Sequence, residues 1–142
     1  MSIVEAVRAW LRTYPPLSDG RLGVDFLPET AKTYSVDTEP VQPVVKRYLD
    51  GSSVRQFAFV LSSREFHSDL IAQNMENSAF YENFSGWVAQ QNRAKCLPEL
   101  GEGRTAHRVE VTSPGYPFQV YEEGTARYQI QLKLIYFEKG YR

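Results

Sequence analysis

Val44-Val45-Lys46-Arg47-Tyr48-Leu49-Asp50-Gly51-Ser52-Ser53-Val54-Arg55-Gln56-Phe57-Ala58-Phe59-Val60-Leu61 is an extended apolar run, a turn centred on Asp50-Gly51, and a second extended run. β-Branched and aromatic residues favour strands, and Asp-Gly followed by two serines supplies a turn with a residue that accepts positive φ. Strand side chains alternate, so Phe57, Phe59 and Leu61 point one way while Val54, Ala58 and Val60 point the other. Both faces are apolar, which places this strand inside a sheet. A helix from about Ser68 to Arg93 follows it in the chain. The long run from Arg127 to Phe137 is its expected neighbour: Tyr128, Ile130, Leu132, Leu134 and Tyr136 share one face, with Arg127, Gln129, Gln131 and Lys133 on the other. That alternation is the mark of a half-buried strand in an antiparallel sheet.

Upstream, Ser2 and Glu5 have capping-box spacing, and Ile3, Val7, Trp10, Leu11 and Tyr14 recur with helical period until Pro15-Pro16 stops the helix. Leu17 to Gly23 reads as a connector, Val24–Leu27 as a short strand closed by Pro28, and Thr33–Val36 as another. Asp37 to Pro43 holds two prolines, which argue for an edge or an ordered loop. The main helix has Ser68 or Asp69 as its cap and an apolar stripe of Leu70, Ile71, Met75, Phe80, Tyr81, Phe84, Trp87 and Val88. Gly86 inside it costs about 1 kcal/mol against alanine, which points to close packing at that turn or to simple tolerance. Leu97-Pro98 ends the helical region and Gly101–Thr105 reads as a loop. His107–Val111 alternates as a strand, Ser113–Pro117 breaks it, and Tyr121–Thr125 forms a turn. The order predicts a single α+β domain over residues 1–142. Its sheet is antiparallel or mixed, with the N-terminal helix and the long central helix packed on one face.

At 142 residues the chain can bury a core without metals or disulfides. Its 16 basic and 17 acidic residues leave a net charge of −1, so clustered cationic attraction to nucleic acid or to an anionic membrane is not expected. Cys96, the single cysteine, cannot form an internal disulfide and suits a reducing compartment. No apolar run reaches membrane-spanning length, and the start of the chain lacks the pattern of a signal peptide, so the expectation is a soluble intracellular product.

Chemistry-bearing motifs are scarce. His67, His107 and Cys96 lie in no nucleophile or metal signature, Gly101-Glu102-Gly103 lacks a third glycine, and Glu122-Glu123 reads as solvated charge in a turn. The expectation is therefore no catalytic residue, no cofactor and no metal. Asn74 and Asn77 interrupt the apolar stripe of the main helix, either as buried hydrogen-bonding groups or as a contact site. Arg55 and Arg64 flank the apolar strand and are either solvated strand ends or subunit contacts, a setting in which arginine is enriched.

Four segments taken together carry a family resemblance: Val4–Leu17 (VEAVRAWLRTYPPL), Tyr34–Glu65 (YSVDTEPVQPVVKRYLDGSSVRQFAFVLSSRE), Gln73–Arg93 (QNMENSAFYENFSGWVAQQNR) and Ala126–Gly140 (ARYQIQLKLIYFEKG). In order and spacing they resemble the small minor-capsid or tail-terminator (tail-completion) proteins of siphophages and prophages of Gram-positive bacteria. The resemblance implies an α+β subunit that assembles with copies of itself into a ring, typically a hexamer. Such a ring caps the tail tube built from the major tail protein and meets the head-completion or connector protein. It implies a virion protein, present in the host cytoplasm during assembly, with no enzymatic activity and no cofactor. A ring subunit meets its neighbours through two different patches. The candidates for such contacts, beside Arg55 and Arg64, are the Glu39–Pro43 segment and the Ser113–Thr125 segment with Tyr116, Phe118 and Tyr121; ordered loops closing the core are the other reading of both stretches. Two further functions remain open at this level: a cone-like α+β domain with a small-molecule pocket between sheet and helix, and a regulatory partner protein of toxin–antitoxin type.

Overall fold

Ser2 starts helix α1 (Ile3–Leu11) by accepting the Glu5 amide on its Oγ at 3.2 Å, while the Glu5 carboxylate takes the Ser2 hydroxyl rather than its backbone amide. Half of the expected capping box is thus built. Val7, Trp10, Leu11 and Tyr14 are buried as their spacing predicts, and Ala6 joins them. Pro15-Pro16 does more than stop α1. It carries a single 3-10 turn, Pro15–Leu17, that drives Leu17 into the core. The computed structural model describes residues 2–18, 22–25, 27, 33–66, 71–121 and 124–140, apart from the side chains of 71–74.

The strands are β1 (Leu22–Val24), β2 (Thr33–Glu39), β3 (Val44–Arg47), β4 (Ser53–Phe66), β5 (Arg104–Val120) and β6 (Thr125–Glu138). They form one mixed sheet in the order β1-β2-β4-β6-β5, with β3 beside β4 beyond the end of β2. Among the described residues, only the β1–β2 pair is parallel. β4 is central, as its two apolar faces predict, and its whole length pairs with β6 in the expected antiparallel sense. The β3–β4 hairpin closes through a loop of Leu49, Asp50 and Gly51. Tyr48 N–H donates to the Ser52 carbonyl, and Gly51 has φ +88, the left-handed residue that follows the turn in a three-residue hairpin loop.

Register places Val36, Phe59, Leu61, Ile130, Leu132 and Leu134 on one face of the sheet. They form the core with α1 and with α2 (Ile71–Ala94), so both helices pack on that face. An aromatic belt joins the layers. Trp10 meets Trp87 with ring centroids 4.8 Å apart, Tyr14 meets Phe84 at 5.4 Å, and Tyr34 stacks on Phe80 at 5.6 Å.

Several elements differ from the sequence expectation. β1 ends at Val24 instead of beginning there, because Asp25 takes φ +53 and turns the chain. Its N–H donates to the Val36 carbonyl and its carboxylate accepts the Thr38 amide. β2 runs on to Glu39, its prolines falling just beyond it, and β4 continues through Ser63 to Phe66. The proposed caps Ser68 and Asp69, with Leu70, lie outside the described residues, as do Phe26 and Pro28. In α2, Tyr81, Phe84 and Val88 are buried, and Phe80 and Trp87 are half-buried against the core. Met75 is 65% exposed. Helical residues two positions apart differ by about 200° in direction, so burying Asn77 turns Met75 to solvent. Gly86 is exposed and a Cβ there would meet nothing within 4 Å, so close packing within the chain does not explain it.

The largest correction is at Ser113–Pro117. These residues do not break the strand; β5 continues through them to Val120, and it also begins earlier, at Arg104. Among the described residues it is the edge strand and pairs with β6 alone. A proline there forfeits no ladder bond on its free side, and register shifts along β5 absorb the misfit.

Candidate functional site

The sheet face turned away from the helices carries a polar network. Asp37 accepts hydrogen bonds from Ser35 Oγ at 2.5 Å and from Ser62 Oγ at 2.9 Å, and it pairs with the Arg127 guanidinium at 2.9 Å. Ser35 and Ser62 are fully buried, so this charge is held by buried donors as well as by its cation. Arg64 lies directly across from Arg127 on β4. Its guanidinium stacks 3.5 Å from the Tyr121 ring centroid and its Nε donates to Thr125 Oγ1 at 2.9 Å. Gln129 is buried and donates through Nε2 to the Tyr116 hydroxyl, and the Phe118 ring lies 5.8 Å from the Arg127 guanidinium.

Of the residues singled out as contact candidates, the fold therefore brings Arg64, Tyr116, Phe118 and Tyr121 together, because the β5–β6 hairpin returns beside the end of β4. Arg55 is elsewhere, near the start of β4, where it bonds Ser53 Oγ and pairs with Glu138 at 2.9 Å. Arg64 is buried and engaged inside the protein, and Tyr116 is half-buried. Phe118, 56% exposed, is the member of the group most open to a partner. The Glu39–Pro43 segment is tied to β4 through Gln56, which bonds the Pro43 and Gln42 carbonyls. Asp37, Ser62 and Arg127 were not picked out from sequence. Their convergence depends on Asp37 lying in a strand, and the nearby prolines had hidden that.

A second polar group is buried beneath α2. Asn77 donates to the Phe66 carbonyl at 2.8 Å and to the Tyr128 hydroxyl, which makes it a buried hydrogen-bonding residue; the Asn74 side chain is outside the description. The Tyr81 and Ser63 hydroxyls share a short hydrogen bond. Burial pushes the Tyr81 phenol far above the ordinary tyrosine range. The bond to Ser63 opposes that rise, and the nearby buried Glu65 adds to it. A phenol held neutral in this way acts as a hydrogen-bonding strut.

The clefts do not converge on these groups. One of about 570 Å³, between the end of α2 and the start of β5, is lined by Lys95, Leu97, Glu99, Arg104 and His107, and by none of Ser63, Glu65, Asn77 or Tyr128. A depression of about 230 Å³ between α2 and β5 reaches Tyr81, beside Ser78 and Gly115. It is smaller than the roughly 300 Å³ at which small-molecule pockets begin. His107 and Cys96 are exposed, and His67 lies outside the described residues. Among the described residues, no three His, Cys, Asp or Glu side chains are grouped to hold a metal ion, and no helix is long and apolar enough to cross a membrane.

Among the described residues, most of the exposed large apolar side chains lie toward the two ends of β4; Val24 on β1 and Met75 on α2 are exposed elsewhere. At the hairpin end are Val45, Tyr48 and Leu49, the last 102% exposed. At the far end are Phe66, Phe118 and Val120, around the strands that finish there. Thirteen steps of about 3.3 Å separate the ends of β4, roughly 43 Å. Comparison with known proteins adds no assignment: no family model matches the chain, and no curated protein matches it.

Proposed function

We propose that this chain is a structural assembly protein, a subunit of a ring that caps a phage or prophage tail tube and offers a second surface to the head connector. The observation that carries the reading is that exposed apolar side chains lie at both ends of β4, Val45, Tyr48 and Leu49 at one and Phe66, Phe118 and Val120 at the other, with Val24 and Met75 exposed apart from them. Leaving a leucine in water forgoes about 1.5–3 kcal/mol of burial, so such side chains mark surfaces that meet something. Two unlike patches on one subunit suit head-to-tail contacts and more than one kind of partner. The identity of the unlike partners, tube protein and connector, rests on the resemblance of Val4–Leu17, Tyr34–Glu65, Gln73–Arg93 and Ala126–Gly140 to tail-terminator proteins. Negative-stain electron microscopy of the purified chain, alone and with a phage major tail (tube) protein, tests the reading. Rings that cap tube ends support it. Particles no larger than a monomer, with tubes left uncapped, reject it.

A further inference from the structure

The free side of β5, the edge strand among the described residues, is guarded unevenly. Pro114 and Pro117 remove backbone donors from its second half. At Val109 the guard is a side chain. Asn92, in the last turn of α2, accepts the Val109 N–H on Oδ1 at 2.9 Å and donates from Nδ2 to the Val109 carbonyl at 2.7 Å. Those are the two bonds that the opposite residue of a neighbouring antiparallel strand would make. The Asn92 amide therefore stands in for one residue of an added strand.

Arg104–His107 precede this point and carry neither guard. α2 ends beside them: Lys95 takes φ +61, Cys96 N–H closes the helix on the Gln91 carbonyl, and the chain turns off through Leu97–Leu100. Between that segment and Arg104–His107 lies the cleft of about 570 Å³. Its far wall is held in place, because Trp10 Nε1 donates to the Cys96 carbonyl at 2.7 Å and both Pro98 and Leu100 are buried. The wall residues Leu97, Pro98 and Glu99 also bound a second depression of about 210 Å³ against Ala6, Ala9 and Trp10, which offers apolar room for a side chain. The cleft and the segments that meet it hold four cations, Arg93, Lys95, Arg104 and Lys139, against two acids, Glu99 and Glu102.

We infer that the start of β5 takes up an extended acidic peptide of another chain. The peptide adds a strand along Arg104–His107, where Asn92 leaves off, with its carboxylates beside Lys95 and Arg104. In a contact of this kind main-chain pairing supplies affinity, and the cleft beside the edge selects the side chains. A nucleic-acid strand offers the same negative charge and no peptide backbone to pair with the edge. The inference goes beyond the ring reading and does not rest on it.

The probe is a fluorescein-labelled hexapeptide alternating glutamate and valine, titrated with the full chain by fluorescence anisotropy. Binding should saturate below about 1 mM. The lysine–valine counterpart, and the acidic peptide methylated on its backbone nitrogens, should each bind at least about tenfold more weakly. Lys95→Glu should weaken the acidic peptide about threefold or more and leave the melting temperature unchanged. Phe118→Ser, toward the other end of β5, should leave binding unaltered. In amide hydrogen exchange followed by NMR the peptide should slow residues 104–107, while Val109, already held by Asn92, keeps its rate. The proposal is overturned by any of four results: no saturation below about 1 mM, equal binding of the methylated or the lysine peptide, binding indifferent to Lys95→Glu, or protection that falls outside residues 104–107. A thymidine hexanucleotide that binds as tightly as the peptide would give the cleft to phosphate chains and overturn it too. Each of these results leaves the ring reading standing.

Discussion

Gly86 and Gly115 predict opposite consequences for the same substitution. Neither has positive φ, so alanine can adopt the backbone conformation at both positions. At Gly86 the new methyl enters open space on an exposed helix face, and the expected result is a gain of about 1 kcal/mol from helix propensity. At Gly115 the methyl would overlap Cβ and Cγ of Tyr81 and approach its Cδ1 to 2.9 Å, which is inside van der Waals contact. Tyr81 has little room to retreat. It is 2% exposed, bonded to Ser63, edge-on to Phe80 at 5.1 Å and stacked on Tyr128 at 6.1 Å. Overpacking of this kind costs about 1–3 kcal/mol, and the smaller entropy of the unfolded alanine chain returns about 0.4–1 kcal/mol. The net loss for Gly115→Ala is about 1–2 kcal/mol. With about 3–4 °C per kcal/mol for a chain of this size, the melting temperature should fall by about 3–8 °C for Gly115→Ala and rise by about 3 °C for Gly86→Ala. Circular dichroism melts of the two variants under conditions where the protein is monomeric are sufficient. A Gly115→Ala protein at least as stable as wild type would refute the packing of β5 against α2.

Three further outcomes follow from the buried groups. Trp87→Ala should cost about 3 kcal/mol, the low end for a tryptophan because the side chain is half-exposed, through loss of its contacts with Trp10 and Tyr14; urea unfolding measures it. Asn77→Ala strips the Phe66 carbonyl and the Tyr128 hydroxyl of a donor and should cost about 1–3 kcal/mol in the same assay. The Tyr81 phenol titrates above its unfolded value of 10.0, so the fold favours the neutral form. Its contribution is complete below pH 10.0 and is lost progressively as the pH rises beyond that value, so Tyr81→Phe should lose less stability than wild type on going from about pH 8 to about pH 11. Equal alkaline losses in the two proteins would show that Tyr81 is not the responsive group.

The sheet was legible where pattern and burial agree. Phe57–Leu61 announced a central strand and Tyr128–Tyr136 its neighbour, because β-branched and aromatic residues on alternating faces leave few other solutions. The stripe of Tyr81, Phe84 and Val88 fixed the inner face of α2 for the same reason. The misses share a cause as well. Pro114 and Pro117 were read as breakers by local rules, yet an edge strand tolerates a missing amide on its unpaired side, and edge position is a property of the whole sheet. Asp37 looked like loop because Pro40 and Pro43 follow it, which concealed its pairing with Arg127, 90 residues away in the chain. Met75 was assigned inward by apolarity alone, although the polar Asn77 takes the inward position by bonding a strand carbonyl and a buried tyrosine. Of the contact candidates Arg55, Arg64, Tyr116, Phe118 and Tyr121, Phe118 is the most exposed, at 56%. Nothing local to Tyr48–Leu49 indicates that the turn of the deciding hairpin is the most exposed apolar point among the described residues.

The most direct measurement of the central claim is the mass of the purified chain by sedimentation equilibrium across a wide concentration range. The account predicts a mass that rises from the 16.3 kDa of one copy to a defined multiple of it, with the rise displaced to higher concentration by Leu49→Ser. A mass that stays at 16.3 kDa throughout would contradict it.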